Sequence, residues 1–180
     1  MARLKLATVW LGGCSGCHMS FLDMDEWLID LAQAADIVYS PFVDAKEFPD
    51  NVDATLVEGA VANEDHFNLA RQIRKRSRWV ISFGDCAVTG NVTAMRNYFG
   101  GAKEVLDRGY VELATQKPAW PSDPGVLPTL LDRVVPLHQV IPVDFYIPGC
   151  PPPAGRIRKV LSALIEGKEP HLEGDDIRFG

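Results

Sequence analysis

Four cysteines carry the chemistry this sequence is able to do: Cys14, Cys17, Cys86 and Cys150. The first two lie in Cys14-Ser15-Gly16-Cys17-His18, which reads C-x-x-C-H, the attachment signature of a c-type haem. The same C-x-x-C serves redox dithiols, zinc sites and iron–sulfur clusters. Haem attachment requires an exported chain and leaves Cys86 and Cys150 without a role, so His18 is read as a helix-start residue and not as an axial ligand. A thioredoxin-type dithiol leaves out the same two thiols. Disulfides belong to oxidising compartments, and nothing at the N-terminus reads as a secretory signal.

Four thiolates taken together suit tetrahedral zinc or an iron–sulfur cluster. Structural zinc draws on two closely spaced cysteine pairs, whereas Cys86 and Cys150 are widely separated singletons, which favours iron–sulfur and leaves zinc open. Gly12, Gly13, Gly16, Gly84 and Gly149 flank these positions, where backbone N–H groups would approach sulfur closely. Pro148 and the run Pro151-Pro152-Pro153 stiffen the last loop. The helix expected after Cys17 turns its positive end toward the thiolates and favours their ionised form.

Five short apolar runs are expected to position these residues: Leu4–Leu11, Asp36–Phe42, Ala54–Glu58, Trp79–Phe83 and Val143–Ile147. Continuous apolar character marks strands covered on both faces of a parallel sheet. Helical spacing places Phe21, Met24, Trp27, Leu28 and Leu31 on one face, and Phe67, Ala70 and Ile73 on another, with Asn63 or Asp65 as its cap. A last helix starts after Pro153, buries Ile157, Val160, Leu161 and Leu164, and stops near Gly167. Alternating strands and helices predict an α/β fold, a flavodoxin-like doubly wound parallel sheet of order 2-1-3-4-5 with helices on both faces. In that fold all four cysteines fall in loops at the carboxyl ends of strands, where open α/β sheets build their sites.

The chain is expected to be a single domain over residues 1–180, with one elaborated connection over 87–142 between the fourth and fifth strands, part helix and part ordered loop. Its Pro-rich stretch carries Trp120, read either as a surface excursion or as a partner-docking arm. A net charge of −6 argues against nucleic acid as a partner, because phosphate binding needs clustered Lys and Arg. No apolar stretch is long enough to span a membrane, and a cytoplasmic location is expected.

Four motifs carry a family resemblance: Gly13-Cys14-Ser15-Gly16-Cys17, Leu56-Val57-Glu58-Gly59-Ala60, Gly84-Asp85-Cys86-Ala87 and Ile147-Pro148-Gly149-Cys150-Pro151-Pro152. From about residue 4 to 166 the sequence resembles the small subunit of nickel–iron hydrogenases. The resemblance implies that Cys14, Cys17, Cys86 and Cys150 hold one 4Fe–4S cluster, the proximal cluster next to a nickel–iron centre in a separate large subunit. A related subunit of respiratory complex I has two adjacent cysteines where this chain has C-x-x-C. With no further cysteine after Cys150 and no twin-arginine leader, the chain resembles the short small subunit of soluble NAD-reducing (bidirectional) hydrogenases. There, diaphorase subunits with FMN and further iron–sulfur clusters accept the electrons, for an overall H₂ + NAD⁺ = NADH + H⁺. Hydrogen activation and NAD binding would then lie on other subunits, and no catalytic residue on this one. The readings left beside it are an iron–sulfur subunit of another cytoplasmic oxidoreductase, a free-standing flavodoxin-like carrier, and a zinc-stabilised interaction module.

Among the remaining residues, Glu58 reads either as a cluster-tuning carboxylate or as an acceptor for backbone N–H groups of the Gly59 turn. Asp85 carries the same two readings, with the structural one favoured. Trp10 and Phe83 read as core residues that shield the cluster. A flavodoxin-like fold also makes FMN a second cofactor to consider, at Thr89, Gly90 and Asn91, since cysteines occupy the usual phosphate loop.

Overall fold

The computed structural model describes residues 3–179. Its central sheet is built from β1 (Leu4–Trp10), β2 (Ala35–Tyr39), β3 (Val52–Glu58), β5 (Ser77–Phe83) and β7 (Phe145–Ile147), in the order β2-β1-β3-β5-β7. Every neighbouring pair is parallel. Counting only these five strands, the order is the expected 2-1-3-4-5. A separate antiparallel ribbon pairs β4 (Val61–Asn63) with β6 (Leu130–Val135).

Alternation along the strands divides the interior into two cores. Leu6, Leu56, Ile81, Phe83 and Ile147 point to one face, where they meet α1 (Gly16–Leu22), α2 (Trp27–Ala34) and α6 (Ala154–Ile165) through Phe21, Leu31, Ile157, Leu161 and Leu164. Ala7, Val9, Val57 and Val80 point to the other face and pack on Ala70 and Ile73 of α3 (Glu64–Arg76), with Leu137 and Ile141. Strands buried on both sides have no polar face to show, which is why their sequences are continuous apolar runs.

Several boundaries differ from the sequence reading. The first amphipathic segment is two helices, because the chain turns between Leu22 and Trp27 with Asp25 at φ +49°. The turn keeps Met24 buried between them. β2 stops at Tyr39, where Ser40 accepts from Thr8 at 2.8 Å and Pro41 has no N–H to continue a ladder. β7 starts only at Phe145; before it, the Asp144 carboxylate replaces a ladder partner by taking the Val80 N–H at 2.7 Å. Phe67 is half out of its core and lies under the Arg71 guanidinium. As for its cap, Asn63 Oδ1 accepts the His66 N–H at 2.8 Å. α6 closes as expected at Gly167, which sits at φ +72° while the next N–H reaches back to Ala163 O at 2.9 Å.

The connection after β5 holds α4 (Asp85–Thr89), a long 3₁₀ segment (Asn91–Phe99), α5 (Ala102–Asp107), a short π turn and then β6. The strand in this connection is not legible in the sequence: among the described residues, Leu130–Val135 pairs with just the three residues of β4. Arg96 bolts the 3₁₀ segment to this ribbon through the carbonyls of Ala62 and Leu131. Trp120 donates its indole N–H to Asp107 at 2.9 Å, which lays the Pro-rich loop against α5.

Candidate iron–sulfur site

Loops from four strands meet at the carboxyl edge of the sheet. The β1 loop and the β3 loop are sewn together by reciprocal bonds between Gly12 and Ala60, at 3.0 and 2.9 Å, and by Leu11 N–H to Glu58 O at 2.8 Å. The β5 loop and the β7 loop are joined by Gly84 N–H to Ile147 O at 2.8 Å and Asp85 N–H to Gly149 O at 2.9 Å. The Asp85 carboxylate answers by accepting the Gly149 N–H at 2.6 Å. This is the structural role expected for Asp85: it locks the loop of Cys86 to the loop of Cys150.

All four cysteines are free thiols, with Cys17 buried, Cys86 half-buried, and Cys14 and Cys150 exposed. They are close enough that each of the other three acts electrostatically on Cys17. No three His, Cys, Asp or Glu side chains among the described residues converge tightly enough to grip a single metal ion. Two glycines create the room. A Cβ on Gly84, which has φ +81°, would stand 2.1 Å from Cys17 Sγ, so only glycine lets this backbone pass the thiol. A Cβ on Gly16 would stand 3.2 Å from Cys14 Sγ. Ser15, between Cys14 and Gly16, holds the left-handed conformation at φ +67° and reverses the chain into α1.

The thiols have hydrogen-bond donors. Gly16 N–H points at Cys14 Sγ at 3.4 Å, and the Asn91 side-chain amide points at Cys150 Sγ at 3.3 Å. Burial pushes the Cys17 thiol far up, reinforced by Glu58 and then by the other cysteines. Cys86 is also raised by burial, against the contact of the Thr93 hydroxyl, which lowers it. Without a cation these groups keep their protons; a metal cluster would displace them and stabilise four thiolates together.

Glu58 does not hold the Gly59 turn. Its Oε2 accepts the backbone N–H of His18 at 3.0 Å and pairs with His18 Nδ1. Both residues are 1% exposed. His18 is thus not merely a helix-start residue: it is a buried partner of Glu58, set edge-on against Phe83 and Phe42. The C-x-x-C-H spelling points to haem and away from this pairing, which becomes visible only once α1 buries Cys17, His18 and Phe21 together. Phe83 is fully buried, as expected. Trp10 is not a core residue: it is 48% exposed, with its indole N–H donated to Gly13 O at 3.0 Å. Of the residues considered for FMN, Asn91 is turned toward Cys150 and Thr89 bonds back to Asp85 O within α4.

Residues 14–164 match the profile of the family described as NADH ubiquinone oxidoreductase, 20 Kd subunit. The chain belongs to that family. Its relatives include subunits of several hydrogenases. The NAD-reducing hydrogenase HoxS subunit delta of Cupriavidus necator is 39% identical over 170 residues, covering 92% of this chain and 80% of that one. A subunit of the F420-non-reducing hydrogenase of Methanothermobacter marburgensis is 38% identical over 183 residues, covering 97% of this chain; the chain spans only 58% of that relative's length. A chain in the crystal structure of an NAD⁺-reducing [NiFe]-hydrogenase in its H₂-reduced state superposes with a TM-score of 0.93 at 36% identity, over 99% of this chain and 100% of that one. The [NiFeSe]-hydrogenase of Dm. baculatum shares the fold alone, at a TM-score of 0.56 and 16% identity over 96% of this chain and 68% of that one.

Proposed function

We propose that this chain is the electron-relay small subunit of a cytoplasmic nickel–iron hydrogenase of the NAD-reducing type. It would hold one 4Fe–4S cluster on Cys14, Cys17, Cys86 and Cys150, between a nickel–iron large subunit and a diaphorase module carrying FMN and iron–sulfur clusters. The overall reaction is H₂ + NAD⁺ = NADH + H⁺. When bound, such a cluster takes up and gives back single electrons.

The observation that carries this reading is the gathering of every cysteine of the chain at one edge of the sheet, with N–H donors from Gly16 and Asn91 aimed at sulfur. Structural zinc draws its four thiolates from two closely spaced cysteine pairs. Cys86 and Cys150 come singly from distant loops and not as a second close pair, which favours the cluster over the zinc module. The two exposed thiols, Cys14 and Cys150, would leave one side of the cluster open to a partner. Trp10, Met19, Val92 and Met95, on the elements that carry the site, also stay exposed, and apolar side chains left in water are what a large-subunit contact would cover. No helix among the described residues is long and apolar enough to cross a membrane.

NAD as the final acceptor rests on the likeness to the NAD⁺-reducing enzyme. The F420-non-reducing relatives favour a second reading, in which the same small subunit serves another acceptor. Anaerobic purification of the chain with its accompanying subunits tests both. Iron and sulfide near four each per chain, beyond those of the partners, together with H₂-dependent NAD⁺ reduction, are expected. Stoichiometric zinc without sulfide would overturn the relay, and H₂ oxidation that ignores NAD⁺ would move the acceptor.

A further inference from the structure

We infer that Asn91 sets the reduction potential of the group held at Cys150, through the hydrogen bond from its side-chain amide to the Cys150 sulfur. The inference rests on the iron–sulfur reading and adds to it a residue outside the ligand motifs.

Asn91 sits where the chain leaves the helix of one cysteine and reaches the loop of another. α4 carries Cys86 and ends at Gly90, which has φ +91° and bonds its N–H to Cys86 O at 3.0 Å. Asn91 follows at φ +36°, one of four non-glycine residues with positive φ among the described residues. That conformation is costly for most side chains, and asparagine is among the few that tolerate it. It directs the amide across 59 positions of sequence to Cys150 Sγ at 3.3 Å. The segment behind it is fastened: Thr93 donates to Gly12 O at 2.8 Å, and Arg96 to Ala62 O at 3.1 Å. Asn91 is therefore anchored to the loops of Cys14, Cys86 and Cys150 at once.

The electrostatic consequence has a definite sign. One-electron reduction adds a negative charge that is shared with the thiolate sulfurs. An N–H dipole aimed at sulfur stabilises the reduced form more than the oxidised form and raises the potential. Gly16 N–H does the same for Cys14, but as backbone it is not removable by substitution. Asn91 is a side-chain donor, so it is separable from the fold.

Asn91→Gly deletes the amide and keeps a residue at ease with positive φ. Asn91→Asp keeps the size and the backbone preference but replaces the donor with a carboxylate. The measurement is an anaerobic dithionite titration of the complex, followed by electron paramagnetic resonance of the reduced cluster. Asn91→Gly should lower the reduced-to-oxidised ratio at fixed potential about three- to tenfold, the latter being about 59 mV. Asn91→Asp should lower it further, with iron and sulfide unchanged in both. Asn51→Gly relaxes another positive-φ asparagine, just before β3 and at the opposite end of the sheet, and should leave the midpoint where it was. Pulsed resonance on wild-type protein labelled with ¹⁵N at asparagine side chains should show a hyperfine coupling across the hydrogen bond, which tests the contact itself even where a variant fails to assemble. An unchanged midpoint in Asn91→Gly, or no ¹⁵N coupling in the wild type, overturns the inference and leaves the iron–sulfur reading standing. A wild-type chain without iron and sulfide overturns both.

Discussion

The carboxylate of Glu58 at the end of β3 and the imidazole of His18 in α1 form a buried pair, each residue 1% exposed. Oε2 of Glu58 also takes the backbone N–H of His18 at 3.0 Å, so one oxygen secures both the ring and the first turn of the helix that begins between Cys14 and Cys17. Gly13 lies against the same carboxylate, where an added Cβ would be 3.4 Å from Oε1. The Cys14/Cys17 loop is thereby attached to the sheet through Glu58, next to the sulfur site and in electrostatic contact with Cys17 and Cys86.

Removing one member of this pair should be costly. Glu58→Ala leaves the buried imidazole and a backbone N–H without their acceptor, and each buried donor left unpaired costs about 1–3 kcal/mol. Glu58→Gln retains an acceptor and should lose less, about 1–3 kcal/mol. Urea unfolding at neutral pH gives both values. Equal stability of Glu58→Ala and wild type would show that the pair holds nothing together.

Gly84→Ala places a methyl group 2.1 Å from Cys17 Sγ at a backbone conformation that disfavours any side chain. The variant should lose iron and sulfide and unfold at lower denaturant. Gly155→Ala is the matched control, since nothing lies within 4 Å of an added Cβ and the site is within α6. It should be neutral or stabilising by up to about 1 kcal/mol.

Cys150→Ala removes the last of the four thiols in the chain, from an exposed loop where no core packing is lost. Its expected effect is loss or degradation of the cluster with little change in the stability of the metal-free chain. Iron and sulfide analysis beside thermal unfolding checks both halves. Full H₂-dependent NAD⁺ reduction by this variant would remove Cys150 from the ligand set.

His66, in the first turn of α3, has its pKa lowered by burial, with Asp65 opposing the shift. A folded-state pKa below the unfolded one means that the unfolded chain binds more protons. The stability it contributes is complete above pH about 6.5 and is lost as pH falls through the lower folded value. Its ring accepts the Ala62 N–H through Nδ1 at 3.3 Å, and a protonated ring cannot. Unfolding free energy followed from pH 7.5 to 5 should decline in the wild type and decline less in His66→Gln. Parallel curves would assign the acid sensitivity elsewhere.

The sheet, its strand order and the coincidence of cysteines with strand ends are written in the residues themselves. Strands such as Leu56-Val57 and Val80-Ile81 are apolar on both faces because both faces are covered, and that pattern is local and readable. The capping of α3 by Asn63 and the stop of α6 at Gly167 are equally local, a matter of side-chain oxygen or free φ within a few residues. Packing alone dictates that Glu58 serves His18, that Gly84 is shaped by Cys17, that β6 pairs with β4, and that Asn91 faces Cys150. Each of these joins positions far apart in the chain, and their geometry exists only after the two cores have packed and brought the loops to one edge. Burial of His18 and exposure of Trp10 have the same origin: residue type sets what a side chain prefers, but neighbouring loops set whether it is covered.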